Sequence, residues 1–282
     1  DRFIVPQNFD PVPIGTVEDQ MIPGPGGDLR IRIYHPETAD TALPVFLFIH
    51  GGGFVIGSIE SRDPQCRMIC RDVGCMVVSL DYRMGPEHPF PAAPEDCWAA
   101  LTWIAENAAN IGVDPSRIAV GGDSAGGNLA AGLALRARNA GGPELCAQIL
   151  IYPVTDLFFE QGLPSYALLD ADYFLTRDQM IWYYDCYTPG LTKTDDIRLS
   201  PCKADDLSGL PPAQIITAEF DPLRDDGKRY GERLEAAGVA VEYTCMSGMI
   251  HGYWHYGKRI DAATEALNLN IEALRRAFHA QP

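Results

Sequence analysis

The segment "GGDSAGG" (residues 121–127) places a serine among small residues, after an apolar run at 117–120 and before a helical pattern. Its Gly122-x-Ser124-x-Gly126 spacing is typical of a nucleophile elbow, a sharp turn that exposes a serine hydroxyl where a strand meets a helix. The helix N-terminus there favours developing negative charge. A phosphate loop is the structural rival, but no Lys follows the glycines and the G-x-G-x-x-G spacing is absent. The pattern is weak evidence by itself, and it favours nucleophilic serine chemistry.

A second glycine-rich segment, "HGGGF" (residues 50–54), follows the apolar run 44–48. A serine nucleophile needs N–H donors for the oxyanion of its tetrahedral intermediate, and losing one donor lowers turnover by roughly 100- to 1000-fold. We predict that the amides of Gly52, Gly53 and Ala125 form this oxyanion hole. His50 is expected to orient the loop rather than to act as a base.

The remaining members of a catalytic triad should follow in the order acid, then histidine. Asp221 stands just past the apolar run 213–218, whereas Glu219 is still on that strand and residues 225–226 fall on the next helix. His251 follows the last apolar run. We therefore predict that His251 takes the proton of Ser124 and that Asp221 holds the imidazole tautomer.

Two spacings could suggest a metal site, and we predict none. His251 and His255 are four residues apart, but the segment lacks the glutamate of metalloproteases and contains Gly252. Cys66 and Cys70 could share a helix face, but no C-x-x-C accompanies them. The cysteines are expected to be reduced thiols, most of them in the core.

Alternating strand and helix patterns position these residues. Short apolar runs suited to buried parallel strands occur at 45–49, 76–80, 117–120, 148–152 and 213–218, with a half-exposed strand at 29–34 and a last strand at 239–243. Helical patterns occur at 94–109, 128–140, 223–237 and 261–278. This alternation predicts an α/β fold with a mainly parallel sheet of about eight strands flanked by helices. The aromatic-rich stretch 156–202 breaks the rhythm and predicts a small helical cap inserted into a single domain spanning 1–282.

Composition excludes several classes of function. The chain has 282 residues and a formal charge of −16, so we expect no binding to nucleic acid, which needs clustered Lys and Arg. No apolar run approaches the roughly 20 residues of a membrane span. The N-terminal residues lack a secretory signal pattern, and together with the expected thiols this predicts a cytoplasmic protein.

The motifs together resemble the hormone-sensitive-lipase-like esterases of the α/β-hydrolase fold, also called bacterial lipase family IV. The similarity spans roughly residues 28–280 and rests on "HGGGF" (50–54), "DYRMGPEHPFPAAPED" (81–96), "GGDSAGGNLA" (121–130), "DPLRDDG" (221–227) and "HGY" (251–253). The resemblance implies an esterase that needs no cofactor or metal, with Asp221 as the acid. It also implies a cap that residues 1–16 would help to complete.

Four further side chains are expected to support the site without touching the substrate: His50, Arg83, Glu87 and Asp123. Among them, Arg83 and Glu87 are interpreted as a charge pair within reach of the oxyanion loop. Seven aromatic residues are candidate walls of the substrate pocket: Phe54, Tyr82, Tyr173, Phe174, Trp182, Tyr183 and Trp254.

The resulting hypothesis is a serine carboxylesterase that cleaves short- to medium-chain acyl or aryl esters through an acyl-enzyme. An acyltransferase or amidase could use the same triad, because the acceptor is chosen by pocket shape and water exclusion. A non-catalytic binding protein of the same fold is a third alternative, disfavoured because all three triad residues are present. The chain is expected to be a monomer or a homodimer paired through the edge strand at 239–243.

Overall fold

A computed structural model describes residues 8–37, 42–159, 162–168 and 173–279 of the chain. Eight strands occur in the described residues: β1 (Thr16–Gly24), β2 (Gly27–His35), β3 (Leu43–Ile49), β4 (Met76–Leu80), β5 (Val113–Asp123), β6 (Ala147–Ile151), β7 (Ala213–Phe220) and β8 (Val241–Ile250). The α-helices are α1 (Asp63–Ile69), α2 (Ala92–Glu106), α3 (Ala108–Ile111), α4 (Ala125–Ala140), α5 (Pro164–Leu168), α6 (Arg177–Tyr187), α7 (Arg224–Ala236) and α8 (Asp261–His279).

The strands form one sheet in the order β1-β2-β4-β3-β5-β6-β7-β8. The hairpin β1–β2 and the pair β2–β4 are antiparallel, and all the other pairs are parallel. The predicted, mainly parallel α/β-hydrolase sheet is confirmed. The strand at 29–34 was predicted near an edge of the sheet, and β2 lies next to the edge strand β1.

The central strands bury side chains on both faces, as their continuous apolar runs predict. In β3, Val45 and Leu47 join the core on the side of α2, α4 and α7, whereas Phe46 and Phe48 join the core on the side of α1 and α8. The sheet is therefore a middle layer between two layers of helices.

The parallel arrangement brings the predicted chemistry to one edge. His50, Ser124, Asp221 and His251 are each the first residue after a strand, namely after β3, β5, β7 and β8. Because the carboxyl ends of parallel strands lie on the same side of a sheet, all four residues lie at that edge.

The predicted insertion, residues 156–202, contains α5, α6 and short 3₁₀ turns among its described residues. The polypeptide before β1 packs against the main body: the side-chain amide of Asn8 donates to the Ser61 carbonyl and to Gln65 Oε1, at 3.0 and 2.9 Å. Residues 1–7, which were predicted to help complete the cap, lie outside the described residues.

Candidate active site

Ser124, His251 and Asp221 form a continuous hydrogen-bonded chain. Ser124 Oγ lies 3.0 Å from His251 Nε2, and His251 Nδ1 lies 2.6 Å from Asp221 Oδ2. Asp221 is fully buried, and its other oxygen accepts the amide of Leu223 at 2.8 Å. The neighbouring acids differ, since Glu219 accepts hydrogen bonds from Ser247 and Gly248 instead. Of these two acids, it is therefore Asp221 that contacts the histidine.

The backbone of Ser124 is strained in the way that a nucleophile elbow requires. Its φ is 56° and its ψ is −118°, a region that non-glycine residues rarely occupy. The flanking glycines permit the tight turn, because a Cβ on Gly122 or Gly126 would stand 2.2 or 2.0 Å from the Ile49 carbonyl oxygen. The turn thus presses the start of α4 against the end of β3.

The predicted oxyanion donors lie around the same cavity. Gly52, Gly53 and Ala125 line it together with Ser124 and His251. Gly52 has a φ of +128°, and a Cβ there would overlap the Ile56 carbonyl, so the loop needs glycine at this position. The ring of Tyr183 on α6 covers Gly53 closely enough to exclude a Cβ there as well.

His50 is buried beside the oxyanion loop and away from the triad. Its ring stacks on Tyr82 with centroids 4.4 Å apart, and the Tyr82 hydroxyl donates to the His50 carbonyl at 2.8 Å. Burial lowers the pKa of His50, and the positive charge of Arg62 lowers it further. A neutral, enclosed imidazole of this kind fits the predicted role in orienting the loop.

Asp123 is the predicted supporting residue with the most contacts at the site. It pairs with Arg62, accepts the amide of Gly51, and lies 3.1 Å from His255 Nε2. Burial by itself would raise the pKa of Asp123, but Arg62 and His255 hold it well below its usual range. Sequence reasoning missed Arg62 entirely and considered His255 only as a metal ligand. Neither residue lies in a motif whose spacing indicates the contact.

The predicted pair between Arg83 and Glu87 is wrong. Arg83 pairs with Asp96 instead, with Nη2 2.8 Å from Oδ1 and the Arg83 amide 2.8 Å from Oδ2. Asp96 is buried on α2, whereas Glu87 is exposed. A buried carboxylate needs a partner and an exposed one does not. Arg83 therefore anchors the loop between β4 and α2 to the helix α2. The loop reaches the oxyanion segment through the Gly85 amide, which donates to the Phe54 carbonyl at 2.9 Å.

The cavity above Ser124 has a volume of about 120 Å³ and mostly apolar walls. Three of the seven predicted aromatic residues line it: Phe54, Phe174 and Tyr183. The prediction is wrong for the other four. Tyr82 stacks on His50, Tyr173 stacks on Phe220, Trp182 is 54% exposed, and Trp254 packs in the core against Phe48. Val154, Leu175, Met180, Tyr184 and Leu223 are further wall residues that the sequence did not reveal.

Other predicted features can be placed in the described part of the chain. Within it, no group of three or more His, Cys, Asp or Glu residues could hold a metal ion. The eight cysteines all lie in the described ranges and form no disulfide there, and Cys66 and Cys70 are buried thiols. Burial raises the pKa of the Cys66 thiol, and it raises the pKa of Cys70 to about 12. Across the described helices, none combines the length and apolarity that a membrane crossing needs.

Comparisons with known proteins agree with this geometry. A family model described as an alpha/beta hydrolase fold matches residues 46–255. Carboxylesterase NlhH of Mycobacterium tuberculosis is 47% identical over 256 residues, which cover 90% of this chain and 80% of the relative. Esterase LipI of the same organism is 45% identical, covering 93% of this chain and 82% of LipI. The crystal structure of EstE1, a thermophilic carboxylesterase from a metagenomic library, is 41% identical with a TM-score of 0.92, covering 100% of this chain and 94% of EstE1.

Proposed function

Because this chain belongs to the hormone-sensitive-lipase-like esterases of the α/β-hydrolase fold and is a carboxylic ester hydrolase, we propose that Ser124, His251 and Asp221 are its catalytic triad. We propose further that it cleaves short- to medium-chain acyl or aryl esters through an acyl-enzyme. The observation that carries the proposal is the chain of contacts from Ser124 Oγ through His251 to Asp221, at 3.0 and 2.6 Å.

We infer the following role for each residue in acylation. Ser124 Oγ attacks the ester carbonyl carbon as its proton passes to His251 Nε2, and Asp221 stabilises the resulting imidazolium through Nδ1–H. The carbonyl oxygen becomes an oxyanion held by the amides of Gly52, Gly53 and Ala125. His251 then gives the proton to the leaving alcohol oxygen, and the carbonyl double bond re-forms in the acyl-enzyme.

Deacylation repeats the same steps with water as the nucleophile. His251 takes a proton from the water as its oxygen attacks the acyl carbonyl, and the oxyanion forms again on the same amides. Collapse of this intermediate returns the proton to Ser124 Oγ and releases the carboxylic acid. The residues therefore complete the cycle without a metal or an organic cofactor.

The cavity size supports a short acyl group. An apolar cavity of roughly 150 Å³ accepts a benzene ring, and the cavity above Ser124 measures about 120 Å³. A short acyl group fits a volume of this order, whereas a long alkyl chain would have to extend beyond it.

The experiment is the hydrolysis of p-nitrophenyl esters from acetate to palmitate under identical conditions. We expect kcat/KM to be greatest for short chains and to fall steeply once the acyl group exceeds the cavity. Palmitate cleaved faster than acetate would contradict the proposed substrate class.

A matched pair of variants tests whether α6 sets this length limit. Tyr183 lines the cavity over Gly53, and its neighbour Trp182 is exposed. Tyr183→Ala should move the optimum to longer acyl chains by enlarging the cavity, and Trp182→Ala should leave the optimum unchanged. An unchanged optimum in Tyr183→Ala would show that other walls limit chain length.

We also propose that residues 156–202 act as a cap, supported by the three cavity residues that α6 contributes: Met180, Tyr183 and Tyr184.

The partner is a small-molecule ester and not nucleic acid, in keeping with the charge of −16. A monomer, or a homodimer paired through the edge strand predicted at 239–243, remains our proposal for the assembly, and β8 does lie at the sheet edge. Sedimentation equilibrium distinguishes the two. The lack of disulfides among the cysteines, all of which lie in the described ranges, supports the proposed cytoplasmic location, which cell fractionation would test.

A further inference from the structure

The carboxylate of Asp123 accepts hydrogen bonds from three separate segments. Oδ1 accepts the Gly51 amide at 2.9 Å and Arg62 Nε at 3.0 Å. Oδ2 accepts Arg62 Nη2 at 2.9 Å and lies 3.1 Å from His255 Nε2. Asp123 precedes the nucleophile, Gly51 precedes the oxyanion glycines, and His255 follows the triad histidine by four residues. One carboxylate therefore joins all three catalytic loops.

The side chains of this cluster are buried. Arg62 and His255 are each 3% exposed, and Asp123 is 1% exposed. A buried ion pair contributes little net stability, because desolvation offsets the attraction between the charges. A bidentate arginine fork does fix the plane and the direction of the carboxylate that it holds. The arrangement is thus better suited to setting positions than to stabilising the fold.

The Asp123 cluster sets the distance between the oxyanion loop and the nucleophile. A Cβ on Gly51 would stand 2.4 Å from both the carbonyl oxygen and Oδ2 of Asp123, so the two segments are in direct contact. Arg62, Asp123 and His255 also line the cavity that holds Ser124. Movement of the carboxylate would shift Gly51, and with it the amides of Gly52 and Gly53, relative to Ser124 Oγ.

His255 extends the cluster toward the triad. Its Nε2 lies 3.2 Å from the Tyr152 hydroxyl, and the Tyr152 ring packs on the His251 ring with centroids 4.5 Å apart. Burial, with the charge of Arg62, lowers the pKa of His255 to about 4. His255 is therefore neutral at pH 7, and its Nε2–H tautomer donates to Asp123.

We propose that Arg62 and His255 are positioning residues that act through Asp123 to hold the oxyanion loop at its working distance from Ser124. This inference rests on the proposed function. It predicts that loss of either donor weakens binding of the transition state more than binding of the ester, because the amides bind the carbonyl oxygen most strongly once it carries the negative charge of the oxyanion.

The experiment compares His255→Leu with His255→Gln, whose amide can replace the lost Nε2–H donor, and Arg62→Met with Arg62→Lys. Arg67→Met is the matched control, since Arg67 lies on α1 nearby and pairs with Asp63. Active sites are counted with diethyl p-nitrophenyl phosphate, and kcat and KM for p-nitrophenyl butyrate are expressed per titrated site. The inhibition constant of a trifluoromethyl ketone, a mimic of the tetrahedral intermediate, is measured alongside.

We expect kcat per site to fall on the order of 10-fold in His255→Leu and Arg62→Met, below the 100- to 1000-fold loss of a whole oxyanion donor. KM should change little, and the inhibition constant should rise in parallel with the loss of kcat/KM. His255→Gln and Arg62→Lys should recover part of the activity, and Arg67→Met should match the wild type.

Wild-type kcat per titrated site in folded His255→Leu would overturn the proposal, as would losses explained by fewer titrated sites alone. If Arg62→Met does not fold, the His255 pair decides the question. Failure of the wild-type enzyme itself to titrate would instead refute the proposed function, so the two failures are distinguishable.

Discussion

Asp221 acts on the reaction only through the imidazole that it holds. Its Oδ2 faces His251 Nδ1 at 2.6 Å, and its Oδ1 is occupied by the Leu223 amide. A carboxylate at this position selects the tautomer in which Nε2 is free to accept the serine proton. An amide in its place keeps the shape of the site and can stabilise the wrong tautomer.

We therefore predict that Asp221→Asn lowers kcat by a factor on the order of 10⁴ while the fold survives. Glu219→Gln is the control, because Glu219 lies on β7 two residues before Asp221 and bonds to Ser247 and Gly248. Ester turnover and circular dichroism measure the two effects. Near-wild-type turnover in Asp221→Asn would show that another acid serves His251.

At the scale of elements, the start of α4 is determined by how closely it approaches β3. A Cβ at Gly126 would stand 2.0 Å from the Ile49 carbonyl oxygen, whereas a Cβ at Gly132 on the same helix would stand 3.5 Å from the Arg198 carbonyl oxygen. The first distance is an overlap with rigid backbone, and the second is ordinary contact. The same substitution should therefore have opposite results at the two positions.

Gly126→Ala should destabilise the protein by about 3 kcal/mol or more, because backbone must shift to admit the methyl group. Gly132→Ala should leave stability unchanged or raise it by up to about 1 kcal/mol, since alanine favours the helix. Urea unfolding of the two variants and the wild type measures both effects. Equal stability of the two variants would contradict the close approach of α4 to β3.

The contact between α7 and the start of the insertion contains the buried carboxylate of Asp226. Asp226 accepts the Thr155 amide and the Thr155 hydroxyl, each at 2.7 Å, and Asp156, Tyr166 and Tyr184 face it. Burial raises the pKa of Asp226 to about 7, and the nearby Asp156 charge adds to the rise.

The raised pKa makes stability depend on pH. Between the ordinary aspartate value of about 4 and the folded value of about 7, the folded state binds more protons than the unfolded state. The contribution of Asp226 is therefore complete below pH 4, declines as pH rises to 7, and is constant above it. Asp226→Asn should flatten this decline, so its melting temperature relative to the wild type should be higher at pH 8 than at pH 5. The same difference at both pH values would contradict a protonated Asp226.

At the scale of the whole molecule, the residues that could be predicted from the sequence are those that directly follow the ends of strands. Ser124, Asp221 and His251 could be placed because each follows an apolar run and parallel strands end at one edge. The strand β1 was not predicted, because most of its residues are exposed and its burial does not alternate. Its pairing with β2 is set by the hairpin and not by a hydrophobic face.

Contacts between distant segments could not be predicted in the same way. Arg62 and Asp123 are 61 residues apart, and Arg83 bonds Asp96 rather than the nearer Glu87. Aromatic side chains occur both in protein cores and in pocket walls. Residue type could therefore not show that Trp254 packs in the core while Phe174 lines the cavity. These choices depend on packing that local patterns do not encode.

The measurement that tests the central claim most directly is labelling with diethyl p-nitrophenyl phosphate, followed by peptide mapping. A serine esterase attacks the phosphorus and releases p-nitrophenolate, and the serine retains the diethylphosphoryl group. We predict one equivalent of p-nitrophenolate per chain, a label on Ser124, and loss of ester hydrolysis in proportion to labelling. Ser124→Ala should take up no label and should lose turnover by a factor on the order of 10⁵ to 10⁶. A label on another residue, or hydrolysis that survives in Ser124→Ala, would contradict the account.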